Sequence, residues 1–297
     1  MKPPPRFELS EDFISVAPMG GLSGWIRKGL PDDLLADFIR DPEPLCHEPS
    51  STLIKRGSKS RIVRLTLPVA KGESVAVIVK RVRFGPAWRR AGFFFVSSPA
   101  LRSLKNALAL MARGIDTPPP LAAFEYRDWK RLGTSYYLVE EIEGSQTLPL
   151  LWLNISPRGS NTGKRKEKRG MLRSLAAFFH RLHSRGVYHQ DLKGGNILVR
   201  KRGSETWQYY LIDIDGVWTR KRLSWFRRIK NLVQLYRTFG EHLTIKEKVR
   251  FLKDYTDCFL LSRERRKAVA TEILSMNSRW DHGFVRQWFH WGLRRGL

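Results

Sequence analysis

The chain has 297 residues, of which 42% are apolar, enough for one large or two small domains with a sizeable core. It carries 54 Lys and Arg against 28 Asp and Glu, and a net charge of +26 points to an anionic partner or surface unless it is only a solvated basic exterior. Cys46 and Cys258 stand too far apart for a disulfide framework or metal cluster, no apolar run approaches the ~18 residues of a membrane span, and MKPPPRFELS lacks the apolar core of a secretory signal.

Nucleic acid, acidic lipid and phosphorylated substrates would all satisfy the charge. With no RNA-binding aromatic motif or zinc finger, nucleic acid is not expected. Residues 1–50 read as an N-terminal extension, broken by Pro31, Pro42, Pro44 and Pro49 around a short helical stretch at 32–39. Strands are predicted at 51–55 (STLIK), 61–67 (RIVRLTL) and 74–82 (SVAVIVKRV), β-branched runs separated by turn residues. The first gap, RGSKS, holds Gly57 and Ser58; it is either a phosphate-covering loop or an ordinary hairpin turn. The third strand ends AVIVK, which puts Lys80 where a kinase keeps the lysine that contacts the α- and β-phosphates of ATP. Arg81 and Arg83 are basic alternatives.

Residues 84–98 are rich in Gly, Trp and Phe and contain AGFFFV, which either packs on the first lobe or dips into a bilayer surface. A helix is predicted over 99–113, with Leu101, Leu104, Leu108 and Met111 on one stripe, closed by Gly114 and TPPP. Strands follow at 121–126 and 135–142, and EGSQTLPLL suits a hinge into a second lobe. Residues 157–168, PRGSNTGKRKEK, read as a polar, basic, mobile loop, and 170–185 as a helix with Leu172, Leu175, Phe178, Phe179 and Leu182 apolar. That helix feeds residues 186–199, GVYHQDLKGGNILV, where His189, Asp191 and Asn196 are spaced H-x-D-x-x-x-x-N. Phosphoryl transfer needs such a loop: an Asp to accept the proton of the attacking hydroxyl and an Asn nearby to hold a metal on the phosphates. The apolar run after Asn196 is a buried strand, and LIDIDG at 211–216 is a second strand ending in Asp213, the expected second metal ligand. Helices are predicted at 225–239 and 245–261. The tail holds Trp280, Trp288 and Trp291, either as an interfacial element or as a terminal packing helix.

These residues together resemble the bacterial lipopolysaccharide kinase family, which phosphorylates Kdo or heptose in the lipopolysaccharide inner core. The resemblance covers about 51–255 and rests on LHSRGVYHQDLKGGNILV, LIDIDG, RGIDTPPPLA and KNLVQLYRTFG. It implies an α+β, protein-kinase-like bilobal fold, with a small antiparallel β-sheet lobe at 51–143 and a helical large lobe at 144–297. It implies ATP and Mg²⁺ as cofactors, Asp191 as base or hydroxyl-orienting group, and Lys193 stabilising the transferred phosphoryl group. Asn196 and Asp213 would ligate Mg²⁺, Lys80 would hold ATP phosphates with Gly57 and Ser58 near them, and Glu141 and Glu143 would offer backbone contacts to adenine. The implied partner is an anionic glycolipid, a lipopolysaccharide core precursor, met at an anionic membrane surface on the cytoplasmic side of the inner membrane. An atypical RIO-like protein kinase and a silent pseudokinase scaffold are the other readings. The sequence departs from the kinase pattern in two places. No acidic residue lies between Arg81 and Ile115 to pair with Lys80, where Lys105 and Asn106 stand instead, and Asp213-Ile214-Asp215 replaces the usual Asp-Phe-Gly.

Overall fold

The computed structural model describes residues 12–19, 21–30, 36–47, 51–68, 74–84, 97–128, 131–155, 162–203 and 206–293, with the side chains after Ser278 outside that description. Residues 85–96, which include AGFFFV, lie outside the described residues, as do the tail tryptophan side chains. The chain divides into two compact units, Met1–Glu143 with Asp213–Gly216, and Gly144–Ile212 with Val217–Leu297.

The first unit contains β1 (Phe13–Met19), β2 (Leu22–Arg27), α1 (Ala36–Arg40), α2 (Pro42–Leu45), β3 (Thr52–Arg56), β4 (Ser60–Pro68), β5 (Ser74–Arg83), α3 (Pro99–Met111), β6 (Pro120–Asp128) and β7 (Arg131–Glu140). Its strands form one antiparallel seven-stranded sheet in the order β1-β2-β6-β7-β5-β4-β3. Strand alternation sorts β5 between the two faces. Val77, Val79 and Arg81 are buried with Val63, Leu65, Phe124 and Tyr136 on one face, while Ile78 packs with Leu104 and Ala100 of α3 on the other. Lys80, one residue from Arg81, shares the face of Ile78.

The described residues before 50 are not an extension outside the sheet. β1 is one edge strand and β2 pairs it to β6, Phe38 of α1 lies edge-on to Tyr136 with ring centroids 5.5 Å apart, and Cys46 is fully buried. Glu43 of α2 answers a cation that alternation turns inward. Arg81, 7% exposed, donates to it from Nε at 2.8 Å and Nη2 at 2.6 Å, and the Tyr136 hydroxyl donates at 2.6 Å. Polar atoms from three distant segments meet there, which sequence spacing alone does not encode.

The second unit runs β8 (Gln146–Thr147), α4 (Leu148–Ile155), α5 (Thr162–Ser184), β9 (Val187–His189), β10 (Ile197–Arg202), β11 (Thr206–Leu211), β12 (Val217–Thr219), α6 (Trp225–Phe239), α7 (Ile245–Asp257) and α8 (Arg263–Leu293). α5 buries Met171, Leu172, Leu175, Phe178, Phe179 and Leu182 at helical spacing, against Tyr209 of β11 and Phe251 of α7. α5 begins eight residues earlier than the predicted helix, so its first part is helical rather than loop. Lys168 lies 4.8 Å over the Trp152 ring and Glu167 pairs with Lys201, contacts that hold this basic turn down. α7 starts on a capping box between Thr244 and Glu247. Among the described residues no helix is long and apolar enough to cross a membrane.

Candidate active site

β9 is buried at all three positions and carries the chain into the 190–196 loop. Gly186, just before it, has φ +72°, and its N–H and carbonyl lie in the tight turn between α5 and β9. A Cβ there would stand 1.8 Å from the Arg220 carbonyl oxygen, so only glycine fits. His189 is buried. Its Nδ1 accepts the Asp191 N–H at 3.1 Å and its Nε2 lies 3.1 Å from the Ile212 carbonyl, which holds the ring as the Nε2–H tautomer. The imidazole thus braces the loop from inside.

Asp191, Lys193 and Asn196 come together on this loop. The Asp191 carboxylate is 55% exposed and accepts from Lys193 Nζ at 2.6 Å. Buried Asn196 donates from Nδ2 to the Asp191 carbonyl at 2.8 Å and to its Oδ2 at 3.3 Å, which turns the Asn196 Oδ1 the other way.

The loop backbone is held by three side chains of α6 that spacing did not single out. Asn231 Nδ2 donates to the His189 carbonyl at 2.6 Å. Gln234 accepts the Leu192 N–H at 3.2 Å and donates to the Gln190 carbonyl. Thr238 Oγ1 accepts the Gly194 N–H at 2.9 Å. A helix whose other inward positions are Ile229, Leu232, Val233 and Leu235 keeps polar side chains at i, i+3 and i+7 only where a partner waits. That interruption of an apolar stripe is the signal in the sequence that could have found them.

In the first unit, Lys80 of β5 pairs with Asp213 and lies 3.4 Å from Asp215. Burial works against the ammonium, but the Asp215 and Asp213 carboxylates outweigh it and raise the Lys80 pKa, so it stays charged. The partner missing between Arg81 and Ile115 is therefore supplied from the 213–216 turn. α3 meets that turn with donors rather than a carboxylate: Arg102 Nη2 lies 3.3 Å from Asp215 Oδ2, and Asn106 Nδ2 donates to the Ile214 carbonyl at 2.8 Å. LIDIDG is not one strand. β11 ends at Leu211, residues 214–216 form a 3₁₀ turn, and Asp213 takes a left-handed φ of +58°. That conformation costs a non-glycine residue ~1–2 kcal/mol, a strain typical of residues held for a site.

Gly57 and Ser58 form the exposed tip of the β3–β4 hairpin, closed by the Gly57 N–H on the Ser60 carbonyl at 2.8 Å. Lys80 stands opposite Ile62 on the neighbouring β4–β5 ladder. The Glu141 carboxylate is taken by Arg64 at 2.7 Å and its N–H by the Ala76 carbonyl at 2.9 Å. Glu143 is exposed in the turn that follows.

Among the described residues no group of three His, Cys, Asp or Glu could hold a metal alone. Within the first unit, Asp213 and Asp215 bring two carboxylates to one turn, a donor type suited to Mg²⁺, which takes one or two carboxylates and fills its remaining positions with water and substrate phosphate.

A protein-family model for the lipopolysaccharide kinase (Kdo/WaaP) family matches residues 95–255. The 3-deoxy-D-manno-octulosonic acid kinase of Mannheimia succiniciproducens is 29% identical over 134 residues, 44% of this chain and 49% of that one, so the chain spans about half the length of this curated relative. A solved structure of WaaP in complex with acyl carrier protein aligns with a TM-score of 0.59 at 19% identity, over 84% of this chain and 95% of that one. That likeness is one of fold, and the fold is the α+β, protein-kinase-like one expected from the sequence. The matched family region spans more than half of the sequence and takes in Asp191, Asn196 and Asp213, and on that ground the chain belongs to the lipopolysaccharide kinase (Kdo/WaaP) family.

Proposed function

We propose that the chain is an ATP- and Mg²⁺-dependent kinase that phosphorylates a sugar hydroxyl, of Kdo or heptose, in the lipopolysaccharide inner core. Its acceptor is an anionic glycolipid precursor at the cytoplasmic face of the inner membrane. The observation that carries this reading is the loop itself. Asp191, Lys193 and Asn196 share one hydrogen-bonded cluster whose backbone is fixed at four residues by α6. Such fixation is what a positioned proton acceptor requires, since about 1 Å of misplacement can cost roughly a hundredfold in rate.

In this reading the acceptor hydroxyl gives its proton to the Asp191 carboxylate as its oxygen bonds to the γ-phosphorus, and the bond to the leaving ADP oxygen breaks. Lys193, already on the Asp191 carboxylate, stabilises the transferring group. Lys80, kept charged by its carboxylate neighbours, holds nucleotide phosphates, with the Gly57–Ser58 tip lying over them. Adenine is met at Glu141 and Glu143. Asp213 and Asn196 hold Mg²⁺, which when bound neutralises phosphate charge. Carboxylate partners for Lys80 argue against a silent scaffold, and the relative named a 3-deoxy-D-manno-octulosonic acid kinase supports a sugar acceptor over a protein.

The test is mass spectrometry of the core saccharide from cells with and without the protein. One phosphate fewer per core is expected in its absence, and an unchanged core mass would refute the sugar-kinase reading.

A further inference from the structure

The second unit carries a surface that the phosphoryl-transfer site does not use. Between Asp215 and Glu241 the chain has seven basic residues, Arg220, Lys221, Arg222, Arg227, Arg228, Lys230 and Arg237, and no acidic one. Six of them gather in the turn after β12 and the first turns of α6, while Arg237 lies in its last turn. Arg220, Lys221 and Arg222 are exposed. Two large apolar side chains stand among them, Trp218 at 42% exposure and Phe226 at 62%. Arg227 lies 5.6 Å over the Trp218 ring and Lys230 5.9 Å over the Phe226 ring, so the cations and the aromatics form one mixed surface. Leu260, 92% exposed at φ +53°, follows Phe259, whose ring is 5.5 Å from Trp225 and 4.4 Å from the Arg228 guanidinium.

This arrangement is unfavourable for the free protein. The first turn of α6 has no acidic residue and its N-cap Ser224 makes no side-chain capping bond. Its N–H groups carry the positive end of the helix dipole, where added cations are repelled. Exposed aromatics add a second cost. Both costs reverse when the surface meets a flat array of negative charge with an apolar layer beneath it. Lys and Arg then face headgroups while Trp and Phe enter the acyl boundary. The position is also informative. β12 pairs with β9, Val217 opposite His189 and Thr219 opposite Val187, and the Trp218 ring meets Tyr188 at 6.1 Å. The surface is therefore tied directly to the strand that enters the Asp191 loop.

We infer that Trp218, Phe226 and the Arg220-Lys221-Arg222 run form a docking surface for an anionic bilayer, which sets the Asp191 loop close to the membrane plane. This rests on the acceptor being membrane-borne.

The experiment is co-sedimentation of the full chain with phosphatidylglycerol-containing and pure phosphatidylcholine vesicles across a salt series. Removing three cations in Arg220→Gln/Lys221→Gln/Arg222→Gln should weaken partition to the anionic vesicles about a hundredfold at low salt, given the contribution of each basic residue near such a leaflet. Trp218→Ser/Phe226→Ser should keep low-salt binding and lose the salt-resistant part. Thermal melts identify any variant that fails to fold, and the two independent sets guard against that loss. Arg165→Gln/Lys166→Gln/Arg169→Gln, which removes as much charge elsewhere, should bind nearly as the parent does. An equal loss in that control, or parent-like binding by both surface variants, would overturn the inference. So would competition for this surface by an acidic protein without any vesicle binding. Asp191→Ala separates the two proposals: it should bind vesicles normally while transferring no phosphate. Docking variants should transfer phosphate normally to a delipidated core saccharide.

Discussion

Asp191 offers a half-exposed carboxylate that its own loop has already oriented through Lys193 and Asn196. Removing it takes away the proposed proton acceptor but little of the packing. Asp191→Ala should lower turnover by about a hundredfold to ten-thousandfold with an unchanged melting temperature. A folded variant with near-normal turnover would rule out the assignment. Gly186 is the opposite case, a residue that acts only through its backbone. Gly186→Ala adds a left-handed penalty of ~1–2 kcal/mol and forces a Cβ against the Arg220 carbonyl, overpacking that costs ~1–3 kcal/mol more. Denaturant unfolding should show a loss of a few kcal/mol, and a neutral variant would contradict the turn geometry.

At the scale of elements, α6 is both a packing helix and the clamp of the loop. Gln234 holds one carbonyl and one N–H of it, so Gln234→Ala should cost ~1 kcal/mol or more of stability. If the clamp positions the loop, turnover should fall at least tenfold while nucleotide affinity stays, a split that a purely structural role would not give. α5 and α7 make a separate prediction about pH. Burial of His183, helped by the nearby Arg228 charge, pushes its pKa down to about 3, and its Nδ1 lies 2.8 Å from the Tyr255 hydroxyl. Its ordinary value lies near 6.5, so between those limits the unfolded chain binds a proton that the folded chain excludes. Stability rises with pH wherever the unfolded state binds more protons. The protein should therefore lose stability as pH falls below about 6.5, and His183→Gln should flatten that slope between pH 6 and about 4. Glu43 acts lower on the scale. Its burial raises its pKa, but hydrogen bonds from Tyr136 and Arg81 and the charges of Arg81 and Arg83 outweigh this and lower it. Its contribution is complete above the usual Glu range and fades only as pH falls through the depressed value.

At the scale of the whole molecule, 54 basic against 28 acidic residues leave a net charge of +26. Self-repulsion of such a charge opposes the compact state. Moderate salt, with a Debye length of about 8 Å at physiological ionic strength, should raise the melting temperature by screening it. Ion pairs such as Arg81–Glu43 are partly buried and weaken less. A fall in melting temperature with salt would mean that the pairs outweigh the repulsion. The excess charge is uneven, and the run between Asp215 and Glu241 concentrates it where free folding gains least from it.

Much of the molecule was legible in the sequence because the information is local. Alternation in 74–82 marked β5, helical spacing marked α3, α5 and α6, and H-x-D-x-x-x-x-N put Asp191 and Asn196 on one short loop whatever surrounded it. The boundaries failed where local pattern was thin. Polar 162–168 is helical because Trp152 and Lys201 receive it, and β1 and β2 join the sheet through pairing of β2 with β6, about a hundred residues on. Lys80 shows the difference most plainly. Its strand was readable from AVIVK, but its carboxylate partner Asp213 is 133 residues away. Asn231, Gln234 and Thr238 were readable only as interruptions of an apolar stripe. Periodicity fixes which way a side chain points on its own element, and nothing in it records what another element brings to meet it. The sequence by itself therefore determined the elements, the loop chemistry and the charge. Only tertiary structure decided which distant donors and acceptors satisfy the buried polar groups, because that matching is made by the packing of elements and not by spacing along the chain.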